Sequence, residues 1–547
     1  MFPPLYIKYQ TKSGKYYLYD CDTGRIIEVD EVIYAIIDDF RVLTCEELLV
    51  KYESLGCDRV SLACRELDEL RQKGLLVDHV PKELGKIELV KYDDRIRPLG
   101  EFWKDTAMLL ILGITEKCNL NCSYCCYSGH FVGQRTHSQR SMSWETAQQA
   151  IKYYIEHDQA GDGSCPISFY GGEPLLEFPL IKKCVDYATE KAKELGKTPR
   201  FAISTNGTLL SDEVCDYLVE HEFLVMVSLD GPKVSHDRYR VYPNGEGSFD
   251  KVERNLYRFA ERYPDYKMRG LNMTITPPLD WEERAGFIAR LYLDYPLTRA
   301  GLVNTDTGHE VQDDAVSPDQ HGCSSSHVCQ RTIDPEPKEC FWNFSKEDSA
   351  KLLQMWESCM ESITQVGVMA SYERMPFAMM FFEGQIMPYH RRMISKQAPA
   401  KYFFVPCLPG FTRRFVDVEG NYRVCERVDH TDAYVLGNVR DGLDVSRLEQ
   451  TMERRRQFGD CANCDAMKTC DICYARISNP ERPRNGTGSD CNRLCERTRQ
   501  ATRTLLRIYT EIMEVNPKAF DRPVSDDYSL FKKLHFGERE SGPVKSA

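Results

Sequence analysis

Hydrophobic spacing changes character along this chain, and the changes mark out its units. PLYIKYQT and KYYLYDCDTGRIIEVD alternate apolar and polar residues and turn at Asp22-Thr23-Gly24, the period of half-buried strands. EVIYAIIDDF, TCEELLVKYE and DRVSLACRELDELRQKG then space their apolar residues as helices do, the last ending at Gly74. A small sheet followed by three short helices predicts a winged-helix-like α+β unit over residues 1–90; a plain accessory domain is the alternative.

Over residues 107–304 strand and helix patterns alternate. MLLILGIT, PISFYGGEP, RFAISTNGT, LVMVSLDGP and GLNMTITP predict strands. WETAQQAIKYYIEH, PLIKKCVDYATEKAKELG, SDEVCDYLVEHE, FDKVERNLYRFAERY and DWEERAGFIARLYL predict amphipathic helices. Repeated β-α units demand parallel strands with right-handed crossovers, hence an α/β barrel or an open doubly wound sheet. Each unusual loop directly follows a strand, where barrel folds hold their ligands.

The pattern then lapses. Residues 305–346 are polar, acidic and poor in apolar residues, the mark of a lid or insertion. Their Cys323, Cys329, Cys340, His309, His321 and His327 match no standard metal spacing, so free thiols are expected. Bridging helices, EDSAKLLQMWESCMESITQ among them, complete a 305–400 region. Residues 401–500 are cysteine-rich, and 501–547 hold a closing helix, RTRQATRTLLRIYTEIMEV, and a peripheral tail. At about 150 residues per domain, 547 residues allow three or four domains.

Charge and composition narrow the class. With 71 basic and 83 acidic residues the net charge is −12, which argues against a nucleic-acid partner. No run of about eighteen apolar residues predicts a membrane span, and MFPPLYIKYQ lacks the pattern of a signal peptide. A cytoplasmic protein without a membrane partner is expected. The 23 cysteines are bunched, which in a reducing compartment points to metal or redox chemistry rather than disulfides. Cys21, Cys45, Cys57, Cys64, Cys184, Cys215 and Cys359 stand apart and are expected to be small buried apolar residues.

Cys118-x3-Cys122-x2-Cys125 follows the strand LLILGIT, at the mouth of the β-α array. Thiolates this close in sequence can wrap one iron–sulfur cluster. Three ligands leave one iron of a four-iron cube open, which suits a substrate-binding metal, whereas zinc would show a fourth ligand nearby. Cys126, adjacent to Cys125, would point elsewhere and is not expected to be a ligand.

With Tyr124 before the third cysteine, the motif resembles that of the radical S-adenosylmethionine (SAM) enzymes. The resemblance implies a partial (β/α)6 TIM-like barrel and a [4Fe–4S] cluster whose open iron is chelated by S-adenosylmethionine. One-electron cleavage of that cofactor yields a 5′-deoxyadenosyl radical. Gly171-Gly172-Glu173-Pro174 resembles the family's second-strand motif around the methionine ammonium: glycines permit close backbone approach, and an acid complements an ammonium. Ser204-Thr205-Asn206-Gly207 and Ser228-Leu229-Asp230-Gly231-Pro232 resemble its loops around ribose and carboxylate. His236-Asp237 and Arg240 continue the likeness, with Arg240 a candidate for the cofactor carboxylate and Tyr124 for the adenine. Any one of these segments alone would be an ordinary turn.

Gly420-x4-Cys425 followed by Cys461-x2-Cys464-x5-Cys470-x2-Cys473 resembles the SPASM extension of peptide-modifying radical enzymes, whose last gap is usually one residue longer. The resemblance implies two auxiliary [4Fe–4S] clusters, three in all. Cys461, Cys464, Cys470 and Cys491 would hold one. Cys407, Cys425 and Cys473 would hold the other, with Cys495 the candidate fourth ligand; without it, an open site would suit a substrate thiolate. A zinc ribbon is the alternative, but its cysteine pairs usually stand about fifteen to twenty residues apart.

Residues 1–90 resemble the leader-recognition element of maturases of ribosomally made peptides, where a leader peptide adds as a strand beside a small sheet. RIIEVD is the candidate edge, an internally paired strand the equal alternative. The combined resemblance is to SPASM-type maturases that join cysteine sulfur to carbon as a thioether. It implies a flavodoxin- or ferredoxin-like electron donor, an auxiliary cluster that accepts the leftover electron, and Glu426 as a candidate base. A supporting or surface carboxylate is the other reading of Glu426. Rival activities are a carbon–carbon crosslinker, an epimerase-like enzyme and a sulfatase-type maturase. A non-catalytic iron–sulfur electron carrier with a peptide-binding module is the rival from another class.

Overall fold

A computed structural model describes residues 4–78, 89–92, 95–125, 127–128, 135–157, 163–266, 268–274, 280–294, 299–303, 346–392, 394, 407–428, 430–456, 458–470, 472–476 and 489–521. The acidic segment 305–345 with its cysteines and histidines, Cys126 and the tail from 522 lie outside the described residues, as does the Cys491 side chain.

The first unit is an antiparallel sheet of β1 (Tyr6–Gln10), β2 (Tyr16–Asp20) and β3 (Arg25–Val29), in that order. The first extended run forms β1 and the second, turning at Asp22-Thr23-Gly24, forms β2 and β3; Thr11–Lys15 make the turn around Gly14 that joins the two runs. Helices α1 (Glu31–Ile36), α2 (Cys45–Lys51) and α3 (Cys57–Gln72) cover one face. Asp30 caps α1 through the Ile33 amide, and Thr44 and Glu47 form a capping box on α2, each cap worth about 1 kcal/mol. Strand alternation splits the apolar residues between two cores. Leu18, Ile27 and Val29 pack on the helices. Tyr9, Tyr17 and Tyr19 face the body of the protein.

A hairpin, β4 (Leu89–Tyr92) and β5 (Arg95–Pro98), and a short α4 (Leu99–Asp105) lead into the main sheet; none was expected from the pattern. There follow β6 (Leu110–Thr115), α5 (Trp144–His157), β7 (Ser164–Gly171), α6 (Phe178–Glu194), β8 (Thr198–Thr205), α7 (Asp212–Glu220) and β9 (Leu224–Ser228). Then come α8 (Lys233–Asp237), α9 (Phe249–Arg262), β10 (Arg269–Thr274), α10 (Trp281–Asp294) and β11 (Arg299–Val303). All neighbours from β6 to β11 pair in parallel and in chain order. A doubly wound sheet would reverse its order at a switch point. Without a reversal, right-handed crossovers place every helix on one side. All six residues of β6 are buried. Strand β11 escaped the sequence reading because its RAGLV runs straight into the polar segment.

The C-terminal half adds α11 (Lys346–Arg374), α12 (Pro376–His390), β12 (Arg414–Val416), β13 (Asn421–Arg423), β14 (Val435–Asn438), β15 (Gly442–Leu443), α13 (Val445–Arg456) and α14 (Ser489–Val515). Helix α11 breaks at Gly367, φ 83°, where the Val368 amide leaves the helix to donate to the Ala519 carbonyl at 2.7 Å. β12 joins the open flank of β6 in parallel, and β13 to β15 continue antiparallel, so the whole is an α/β fold on one ten-stranded mixed sheet.

Two buried arginines fasten this extension. The Arg414 guanidinium donates to the carbonyls of Trp103 (2.5 Å), Thr106 (3.2 Å), Lys104 (3.3 Å) and Gly410 (3.2 Å). Three of these are acceptors at the carboxyl end of α4, which its own helix cannot satisfy. In the next hairpin Arg423 pairs with Asp417 at 2.7 Å, both buried. Burial alone would raise the Asp417 carboxyl, yet the His430 ring at 3.5 Å and hydrogen bonds from Arg423 and the Asn421 amide hold it far below the usual carboxylate range.

Arg414→Ala leaves several buried carbonyls without donors. A loss of about 2–4 kcal/mol is expected, read as a lowered midpoint in urea unfolding with little change in slope.

Candidate functional site

The three-cysteine loop leaves β6 and is held from four sides. At its start, the carboxylate of buried Glu116 takes two bonds from Arg140 at 2.9 Å and one from Ser138 at 2.6 Å. At its middle, the amides of Asn121 and Ser123 donate to the carbonyls of Val241 (2.7 Å) and Tyr239 (3.3 Å). Asn119, inside the motif, exchanges side-chain bonds of 2.8 Å with Thr208 and Asn206 on the loop after β8. Past Cys125, the His137 amide donates to the Tyr127 carbonyl at 2.9 Å. Cys118, Cys122 and Cys125 share a small apolar nest with Leu120, Tyr124, Tyr239 and Tyr242.

Gly171 and Gly172 seat this loop. A Cβ on Gly171 would stand 2.3 Å from the Thr115 carbonyl oxygen, and one on Gly172 only 2.0 Å from that of Lys117. The close approach is therefore between two stretches of the protein's own backbone, joined by Gly172 N–H to Thr115 O and Glu173 N–H to Lys117 O at 2.8 and 2.7 Å. The Glu173 carboxylate, expected from the resemblance to complement an ammonium, is buried against the end of β8. It accepts from Thr205 Oγ1 (2.7 Å), the Asn206 amide (2.7 Å) and the Leu175 amide (3.1 Å), the last capping a 3-10 turn begun by Pro174. Complete burial nonetheless pushes its carboxyl up to about 7.

Asp230 is the hub. Its Oδ2 accepts from the Tyr124 hydroxyl at 2.5 Å and from Arg240 Nε at 2.8 Å, and its Oδ1 from the Thr274 amide at 2.9 Å. Arg284 donates to its carbonyl at 2.5 Å. The Arg240 guanidinium also lies over the Tyr124 ring, 5.4 Å from the centroid. The Asp230 amide donates to His236 Nδ1 at 3.3 Å; Nε2 meets Ser248 Oγ at 2.9 Å, and Ser248 donates on to the Arg240 carbonyl at 2.8 Å. The network fixes the neutral Nε2–H tautomer, and burial holds His236 down to about 4. Asn206 spends its side chain on Asn119 and Thr208, and Ser204 and Ser228 lie half-buried at the ends of β8 and β9.

The second cysteine group divides in two. Cys407, Cys425 and Cys473 lie within electrostatic reach of one another. In the other set, Arg455 lies 3.6 Å from Cys461 Sγ and 3.5 Å from Cys470 Sγ, while Cys464 bonds Arg499. Cys495 packs against Phe458 and Ile472, as Cys470 does. Cys491 and Cys495 lie four residues apart on α14. Glu426 pairs with Arg413, and the Tyr127 hydroxyl donates to the Glu426 carbonyl at 2.6 Å. Burial works to raise the Glu426 carboxyl, but Arg413, the residue's own backbone amide and Arg427 together shift it downward, which weakens it as a base.

The donor sets fit iron–sulfur clusters. Burial pushes the Cys118 and Cys407 thiols up to about 12, and Cys122 and Cys425 further, so a bound cation would favour their thiolates. Among the described residues no three Cys, His, Asp or Glu side chains close around a single ion. Ligands of a multi-iron cluster bind separate irons and stand wider apart. Asn119, Thr274, Arg284, Tyr127 and Arg413 escaped the sequence reading; only Asn119 carried a signal, its place inside the cysteine motif.

Residues 112–291 match the family model of the radical SAM superfamily, and this stretch is a radical SAM domain. An uncharacterised protein of Methanocaldococcus jannaschii is 35% identical over 148 residues, 27% of this chain and 47% of that protein. A serine-type anaerobic sulfatase-maturating enzyme of Bacteroides thetaiotaomicron is 32% identical over 190 residues, 35% of this chain and 41% of that enzyme. The chain thus spans less than half the length of these relatives. Among solved structures, native anSMEcpe with bound AdoMet and Cp18Cys peptide aligns with 74% of this chain and 99% of its own, at 18% identity and a TM-score of 0.48. No helix of the described residues is long and apolar enough to cross a membrane.

Two outcomes are expected. Gly172→Ala displaces the cysteine loop, so anaerobic reconstitution should return less iron per chain while far-ultraviolet circular dichroism stays near the parent's. His236 titrates at 6.5 when unfolded and about 4 when folded, so its stability contribution is complete above pH 6.5 and is lost as pH falls toward 4. That contribution is up to about 3 kcal/mol, and unfolding curves of His236→Asn should lack this part of the acid sensitivity.

Proposed function

We propose that this chain is a radical SAM peptide maturase. Its activity would be hydrogen abstraction from a ribosomally made precursor and closure of an intramolecular crosslink, a cysteine sulfur-to-carbon thioether. The observation that carries the reading is the buried three-cysteine nest inside a radical SAM domain, clamped by Asp230, Tyr124 and Arg240. When bound, the cluster and S-adenosylmethionine supply a primary carbon radical that no side chain offers. Cys118, Cys122 and Cys125 would hold the iron.

Residues along the loops then do the placing. Gly171 and Gly172 let the cysteine loop rest on the end of β7, and Glu173 ties that end to Asn206. Half-buried Ser204 and Ser228 remain candidates for the cofactor's polar groups. Arg240, spent in part on Asp230, keeps its remaining donors for a carboxylate. Cys407, Cys425 and Cys473 would hold a second cluster, and Cys461, Cys464 and Cys470 a third, with Cys491 or Cys495.

Peptide docking falls to the first unit. β1 lies against α14, through Tyr9 to Thr510 at 2.8 Å and Thr11 to Glu514 at 2.9 Å. β3 has no strand partner beyond β2 among the described residues, which supports it as the edge for a leader strand. A cytoplasmic setting and a flavodoxin- or ferredoxin-like electron donor belong to the same reading. A sulfatase-maturase activity is the second reading, favoured by relatives such as the Bacteroides enzyme.

Anaerobic incubation with dithionite and S-adenosylmethionine should release 5′-deoxyadenosine, and Cys118→Ala should reduce it to background. Retention of activity by that variant would overturn the assignment. Mass spectrometry after co-expression with a cysteine-rich peptide should show two hydrogens lost per crosslink. A hydrazide-reactive aldehyde would favour the second reading.

A further inference from the structure

Cys407, Cys425 and Cys473 lie within electrostatic reach of one another, while Cys495 packs with Cys470 against Phe458 and Ile472. The next side chain along from Cys425 is that of Glu426, only 9% exposed. Arg413 holds its Oε1, while its Oε2 is buried with no hydrogen-bond partner among the described residues. Two other buried carboxylate oxygens lack a hydrogen bond, but each faces a cation. Asp78 Oδ1 faces Arg41 and Arg71, and Asp465 Oδ1 faces Arg499 at 3.5 Å. The ion pair of Glu426 with Arg413 is made through Oε1, and no hydrogen bond reaches Oε2 among the described residues. A charged oxygen left so is costly unless a cation completes its surroundings.

We propose that Glu426, through Oε2, is the fourth protein ligand of the iron–sulfur cluster held by Cys407, Cys425 and Cys473. The proposal rests on the reading of these cysteines as cluster ligands. Carboxylate oxygen is a competent iron ligand, and metal-bound carboxylates are themselves oriented by hydrogen bonds. Arg413 supplies that orientation by taking Oε1 and leaving Oε2 for the iron. The Tyr127 hydroxyl fixes the backbone of the same residue. Tyr127 stands two residues beyond Cys125, so one hydrogen bond would link the loops of the two clusters. The assignment replaces a proton-accepting role with a metal-binding one.

The test uses the full chain with Cys118, Cys122 and Cys125 all changed to alanine, so that only the auxiliary sites load. It is reconstituted anaerobically with iron and sulfide, then compared with versions that add Glu426→Gln, Glu426→Cys or Cys407→Ala. Iron content, electron paramagnetic resonance and redox titration are the readouts. Glu426→Gln should alter the g-values and midpoint potential of one cluster and make its spectrum respond to added 2-mercaptoethanol. Glu426→Cys should restore a spectrum insensitive to that thiol, at a lower potential. If Cys407→Ala loses a cluster while Glu426→Gln leaves the spectrum and potential unchanged, the carboxylate is not a ligand and the proposal fails. A lower cluster content with an unaltered spectrum would mean a merely structural Glu426 and overturn it equally. If Cys407→Ala loses no iron, both the cluster reading and this inference fall.

Discussion

Everything at the mouth of the parallel sheet hangs on one buried carboxylate. Asp230 accepts from Tyr124 on the cysteine loop, Arg240 past α8 and Thr274 at the end of β10, while Arg284 of α10 holds its carbonyl. Four segments far apart in sequence thus meet at one residue that is 2% exposed. A buried charge survives only when paired and fully bonded, and removing one partner typically costs about 3–5 kcal/mol. That penalty is what makes the arrangement definite: the loops adopt one geometry or lose much of their stability.

Glu173 repeats the device one strand over. Its carboxylate joins the ends of β7 and β8, and the glycines before it bring the cysteine loop into contact with β7. The two carboxylates differ in setting. Asp230 has guanidinium partners, whereas Glu173 relies on hydroxyl and amide donors, so burial raises its carboxyl to about 7. Both serve as cross-links between strand ends, the places where this fold class holds its ligands. Preorganisation of that kind suits chemistry in which a reactive intermediate must meet one hydrogen and no other.

The C-terminal half is built into the same framework. β12 extends the sheet from β6, Arg414 closes the end of α4, and Tyr127 reaches across to Glu426. α14 meets the first unit, whose β2–β3 turn is buried and takes a bond from Arg392 to the Gly24 carbonyl at 2.7 Å. Cys21 in that turn feels the charges of Asp465 and Cys464. The proposed peptide-docking unit therefore lies within electrostatic reach of the loop that carries Cys464.

Local signals carried a good part of this protein. The alternation of apolar runs foretold the strands β6 to β10 and their helices, because burying one face imposes a period that survives in any context. The cysteine spacing and GGEP marked the loop and its seat, since both are constraints between near neighbours in sequence. Strand β11, the hairpins and α4 were missed because their short segments owe their form to partners elsewhere. Which charges meet was also beyond reach. That Glu173 meets Asn206, that Cys495 packs on Phe458 and Ile472, and that Glu426 faces Arg413 depend on long-range packing. Composition and spacing decided which chemistry is available here; the fold decided which polar atoms are already spent and which remain, because a buried donor or acceptor is settled only by what the tertiary structure brings beside it.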